Sequence, residues 1–89
     1  MSIVPLVAEF LGTFVFLSVI LYTGNWLAIG AALAIVILAI GSVSGGHVNP
    51  AVSLAMYVKG ALSAQELGVY IVAQALGAVA AVYALKNLA

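Results

Sequence analysis

Apolar residues fill this chain in long blocks, and the polar positions fall into short gaps between them. Ile3 to Tyr22 forms one block, interrupted only by Pro5, Glu9, Gly12, Thr13 and Ser18. Thr23-Gly24-Asn25 reads as a short polar turn. Trp26 to Gly41 forms a second block, and from Ser42 to Asn49 the pattern breaks into the Ser, Gly, His and Asn of a loop. A bilayer core of roughly 30 Å is crossed by about 20 apolar helical residues. The pattern therefore predicts spanning helices over 3–22 and 26–41, with Tyr22 and Trp26 as aromatic anchors at one membrane face.

A short helix comes next, and it decides the architecture. Asn49 is a preferred N-cap, and Pro50 suits the first helical position because its missing N–H would be unpaired there anyway. The predicted helix runs over 50–58 and closes at Lys59-Gly60. Nine residues rise only about 13.5 Å, under half of the hydrocarbon thickness. Such a helix enters the membrane and stops near its middle, or lies at its surface. Ser63-Ala64-Gln65-Glu66 is then a capping box opening a last spanning helix over 64–85. The expected fold is an all-α membrane protein: three transmembrane helices plus one re-entrant half-helix, in a single unit over 1–89.

Composition narrows the function classes. The chain has 89 residues, 67% hydrophobic and 4% charged, too little polar surface for a soluble domain of this size. Its only basic residues are two lysines and its formal net charge is zero, which excludes a basic nucleic-acid-binding patch. Cysteine is absent, so there is no disulfide framework or thiolate site. No Lys or Arg precedes the first apolar block, so it lacks the basic region of a signal peptide and reads as a retained span. Small residues recur at helical spacing in Ala8/Gly12, Gly30/Ala34 and Ala73/Gly77/Ala81, which favours close helix packing in lipid.

The chemistry concentrates around Asn49. A helix start carries partial positive charge and unpaired N–H donors, and at membrane depth it can handle a polar permeant. Asn49 is either a plain cap or a cap that also offers its amide to that permeant. Glu9, about six positions inside a spanning helix, marks a polar pathway or a buried partner. His47 is the only histidine, and with only Glu9 and Glu66 to join it no metal site is expected. No cofactor, nucleotide motif or enzymatic activity is expected either.

Three segments together resemble the major intrinsic protein family, the aquaporins and glycerol facilitators. They are Ala8-Glu9-Phe10-Leu11-Gly12-Thr13, then Ser44-Gly45-Gly46-His47-Val48-Asn49-Pro50-Ala51-Val52, then Tyr70, Gln74 and Gly77. The family's proteins resemble two such units in tandem, inverted relative to each other, and this chain is similar to the first. It holds one Asn-Pro-Ala, contains no arginine, and carries Val52 where the second half of the family typically has a pore-lining arginine. The resemblance implies that the Gly45, Gly46 and His47 carbonyls form an acceptor ladder, and that Val48, Asn49 and Ala51 line the path. It implies that Ile29, Ile37 and Val52 occupy the narrow filter, unless they are simply packed core. It also implies that Glu9 accepts hydrogen bonds from the re-entrant loop, which Gln74 and Pro50 help support.

Loop backbone at membrane depth must be buried in protein or line a water-filled cavity. With one re-entrant arm, one face of that loop would meet lipid, so an antiparallel homodimer is expected to complete the pore and to group into a higher oligomer. Lys59 and Lys86 fall on opposite faces, leaving almost no charge bias, and such a chain can insert both ways. The expected function is passive permeation of water and small neutral solutes such as glycerol, through a multi-pass protein of the cell membrane. The competing readings are a small dual-topology proton-coupled exchanger using Glu9, and a non-conducting or heteromeric half-channel subunit.

Overall fold

Each helix begins or ends where a local group satisfies its open backbone. In the computed structural model, which describes residues 2–88, α1 spans Val4–Thr23, α2 Trp26–Ser44, α3 Pro50–Lys59 and α4 Ala64–Leu88. Asn25 Oδ1 accepts from Leu27 N and Ala28 N at 3.0 and 2.9 Å, and starts α2. Asn49 Oδ1 accepts from Ala51 N at 2.8 Å and starts α3. The capping box forms reciprocally: Ser63 N donates to Glu66 Oε1 at 2.9 Å and Glu66 N donates to Ser63 Oγ at 3.1 Å.

Helices α1, α2 and α4 are long and apolar enough to cross a membrane, whereas α3 has 10 residues, about 15 Å of rise. The chain is thus an integral, multi-pass membrane protein, and no strand occurs among the described residues. Two boundaries differ from the sequence pattern by three residues, while both ends of α1 and the end of α3 differ by one. Helix α2 continues three residues past Gly41, because Ser44 keeps its hydroxyl within reach of the Ile40 carbonyl (3.4 Å), so the loop is 45–49 rather than 42–49. Helix α4 continues to Leu88 rather than 85.

Burial is inverted relative to a soluble protein. The largest fully buried side chains are Gln74, Glu9 and Ser53, while Leu38, Trp26 and Tyr22 are among the most exposed. An apolar exterior is what lipid favours, and a polar interior must then satisfy itself. Helix α1 is central, packing on α2 and α4, while α3 packs on α4. The α1–α4 crossing is tight: a Cβ at Gly77 would lie 2.5 Å from the Phe10 carbonyl oxygen. A Cβ at Gly12 would meet Ile40 Cδ1 at 2.7 Å, so the other face of α1 is equally close to α2. Ala8, Ala73 and Ala81 are buried with these glycines, but Gly30 and Ala34 stay exposed, and a Cβ at Gly30 would meet nothing within 4 Å.

Grooves along the α1–α4 pair set the directions. Ile3 and Leu6 lie near Val69 and Val72 at one end, and Tyr22 and Thr23 near Leu85 and Leu88 at the other, so the two helices run parallel. Lys59, the last residue of α3 and five positions before α4 begins, therefore lies towards the end where α1 begins, and Lys86 lies at the opposite end. Asn49 shares a groove with Thr13, the middle of α1, so α3 starts at mid-height and runs back to the end it came from.

Candidate functional site

Three segments far apart in sequence, at Glu9, Ser44–Val48 and Gln74, meet at one carboxylate that holds the loop at mid-height. Glu9 Oε1 accepts from Val48 N at 2.8 Å and Gln74 Nε2 at 2.9 Å. Glu9 Oε2 accepts from Ser44 Oγ at 2.6 Å and His47 N at 3.1 Å. Two donors per oxygen satisfy a carboxylate's capacity, which makes a fully enclosed Glu9 (0% exposed) tolerable. Gln74 Nε2 also donates to Ser53 Oγ at 2.9 Å, and Ser53 Oγ lies 2.9 Å from His47 Nδ1. Tyr70 Oη donates to the Ser44 carbonyl at 2.8 Å, and its ring lies 5.1 Å from the His47 ring. The His47 side chain thus faces the interior network and not the lipid.

The loop backbone this network holds is unusual. Gly45 and Gly46 take φ of 92° and 64°, and a Cβ at Gly46 would come within 3.2 Å of Ile37 Cα. Val48 takes φ 45°, where a β-branched residue is a steric outlier costing about 1–3 kcal/mol. No hydrogen bond between described residues ends on the carbonyls of Gly45, Gly46 or His47, so these acceptors are free.

Beside the loop runs an open trough of about 290 Å³. It brings together Ile37, Gly45, Gly46, His47, Val48, Asn49 and Val52 of the residues singled out by sequence. Ile29 and Ala51 are not in its lining, and Pro50 lies on a neighbouring groove. Phe16, Leu33 and Met56 also line it, and sequence reading missed them. Helical spacing held the signal for two: Leu33 is one turn from both Ile29 and Ile37, and Met56 one turn from Val52. Ser53 was equally findable, one turn from Asn49, whereas Tyr70 was named with Gln74 in the family motif but given no role in the site. Among the described residues there is no cluster able to hold a metal ion.

A buried carboxylate, a strained loop and a half-helix starting at mid-membrane fit the sequence match. Residues 20–89 match the family model described as Major intrinsic protein. The chain belongs to that family. Similar members include Glycerol uptake facilitator protein-like 6 of Lactiplantibacillus plantarum, 45% identical over 89 residues that cover 90% of this chain and 41% of that protein. Aquaporin Z of Brucella melitensis is 50% identical over 60 residues, covering 67% of this chain and 26% of it. Aquaporin-5 of Sus scrofa is 38% identical over 94 residues, covering 92% and 36%. The chain therefore spans at most about two fifths of the length of these major intrinsic proteins.

Proposed function

We propose that this chain is half of a passive transmembrane channel for water and small neutral solutes such as glycerol, completed by a second, inverted copy. The observation that carries the reading is the trough itself. Free carbonyls of Gly45, Gly46 and His47 offer acceptors along one wall, and the capped start of α3 offers donors at its midpoint. A molecule with hydroxyl groups can exchange its water hydrogen bonds for these, while the helix-end dipole disfavours cations. Two relatives named as a glycerol uptake facilitator and an aquaporin agree with a small neutral permeant.

Each named residue has a part in this reading. Asn49 caps α3 and turns its free amide N–H groups to the permeant. Val48 and Ala51 shape the loop around it, and Pro50 starts the helix. Ile37 and Val52 form an aliphatic constriction in the trough, repeated by the inverted copy, and Ile29, outside the trough lining, extends it towards the start of α2. Glu9 and Gln74 support the loop from behind. A proton-coupled exchanger would need Glu9 open to the trough, and Glu9 is enclosed by four donors instead.

The test is stopped-flow light scattering on proteoliposomes containing this chain alone. Faster osmotic shrinkage in sucrose than in protein-free vesicles, with glycerol entry independent of a proton gradient, supports the channel. Uptake that requires a proton gradient would overturn it.

A further inference from the structure

The hydrogen bonds behind the loop run in one direction, and Glu9 sets it. Glu9 Oε1 accepts from Gln74 at 2.9 Å, so Gln74 presents Nε2 there; the flipped amide would set Oε1 against a carboxylate oxygen. The second hydrogen of that Nε2 goes to Ser53 Oγ, also at 2.9 Å. Ser53 therefore accepts from Gln74 and has one proton left to donate. Its hydroxyl does not bond back to its own helix, as those of Ser18, Thr23 and Ser44 do. Its remaining hydrogen-bonding neighbour among the described residues is His47 Nδ1 at 2.9 Å. The hydroxyl donates there, Nδ1 accepts, and the ring proton belongs on Nε2.

The Nε2 edge is the uncovered one. A Cβ at Gly45 would lie 2.8 Å from Nε2, and Gly45 is an exposed residue of the trough lining, so glycine leaves room beside that nitrogen. Nε2 has no partner among the described residues, yet the sealed atoms without partners are Thr13 Oγ1 and Gln74 Oε1. Nε2 thus reaches the surface, beside Gly45. The trough has a use for it. The carbonyls of Gly45, Gly46 and His47 only accept, and a water that donates to them still needs donors for its own oxygen. Of the side chains in the lining, Asn49 and His47 are the two that carry N–H groups.

The structure assigns the His47 imidazole as a second side-chain donor in the trough, with Nε2–H turned to the permeant. Gln74 and Ser53 are positioning residues that transmit the direction of Glu9 to the ring and fix its tautomer. The assignment deepens the channel reading and rests on it. Asn49 serves the start of α3, and His47 serves the stretch of loop before it. A ring with its proton on Nδ1 would bury that proton in the network and show the permeant one more acceptor beside three others.

His47 is the only histidine, so nitrogen solid-state NMR of the chain in phospholipid vesicles reads its ring directly. The expected spectrum has a protonated Nε2, an unprotonated Nδ1 and magnetisation transfer from water to Nε2–H. Ser53→Ala should let the proton redistribute to Nδ1, and Ser53→Thr, which keeps the hydroxyl, should restore the wild-type spectrum. His47→Phe keeps a ring against Tyr70 but no donor, and should lower osmotic water permeability about fivefold, the worth of one hydrogen bond. A wild-type ring protonated on Nδ1 overturns the assignment, and an unchanged tautomer in Ser53→Ala overturns the relay. Absent water transfer to Nε2–H, or wild-type permeability in His47→Phe, overturns the contact with the permeant. The expected spectrum in a wild-type chain that passes no water keeps the donor at the trough and overturns the channel reading.

Discussion

Val48 N–H donates to Glu9 Oε1 at 2.8 Å across 39 positions of sequence, and this bond fastens the one non-glycine residue that takes positive φ among the described residues. The two features explain each other. A β-branched residue keeps a strained backbone only where its surroundings over-determine it, and a buried carboxylate persists only where donors converge on it. Backbone strain at the loop and charge burial in α1 are thus two sides of one contact, which sets the shape of the trough.

Glu9→Gln tests that coupling. An amide has one acceptor oxygen where the carboxylate has two, so two of the four donors lose their partner. Each unsatisfied donor costs about 1–3 kcal/mol, and Val48 loses part of what holds its strained backbone. The expected outcome is a clearly lower midpoint in thermal unfolding in detergent. Residual permeation should not depend on pH. A variant as stable as wild type would mean that Glu9 does not hold the loop.

Glycines separate by what surrounds them. Gly77→Ala should destabilise the α1–α4 crossing by about 1–3 kcal/mol, because the new Cβ would press on the Phe10 carbonyl. Gly68→Ala places its Cβ in open space and should be neutral or stabilising by about 1 kcal/mol through helix propensity. Thermal melts of the two variants in one detergent check the ordering.

How much of this was readable beforehand depends on the range of the interaction. The caps at Asn49 and Ser63 were legible because a side chain there bonds backbone two or three residues away. The short helix, and with it the re-entrant architecture, followed from that. The end of α2 was misread: Ser42 and Ser44 resemble loop residues by composition, yet a serine in a membrane helix can bond back to its own helix carbonyl. Val48 gave no sign of its backbone conformation, since the cause lies in a different helix. The Gly30/Ala34 row shows the opposite failure, a packing pattern in which a Cβ at Gly30 would meet nothing within 4 Å.

Topology follows from charge. Lys59 and Lys86 lie towards opposite ends, and the chain has no arginine to add a bias. A cysteine introduced at either terminus should therefore be labelled by an impermeant maleimide from both sides of the membrane, in comparable amounts. Labelling from one side only would contradict the inverted homodimer and favour a separate second-half partner.

The central claim is that the start of α3 faces the conduction path, and currents across planar bilayers test it most directly. Asn49→Asp replaces a neutral cap by a carboxylate at the start of α3, where the proposed arrangement brings two helix ends together, and so cancels the positive potential that disfavours cations. Val52→Arg adds fixed positive charge one turn away. We expect Asn49→Asp to conduct cations well above both wild type and Val52→Arg. Equal cation leakage in wild type and Asn49→Asp would mean that the half-helix ends do not face the path, and the proposed mechanism would fail.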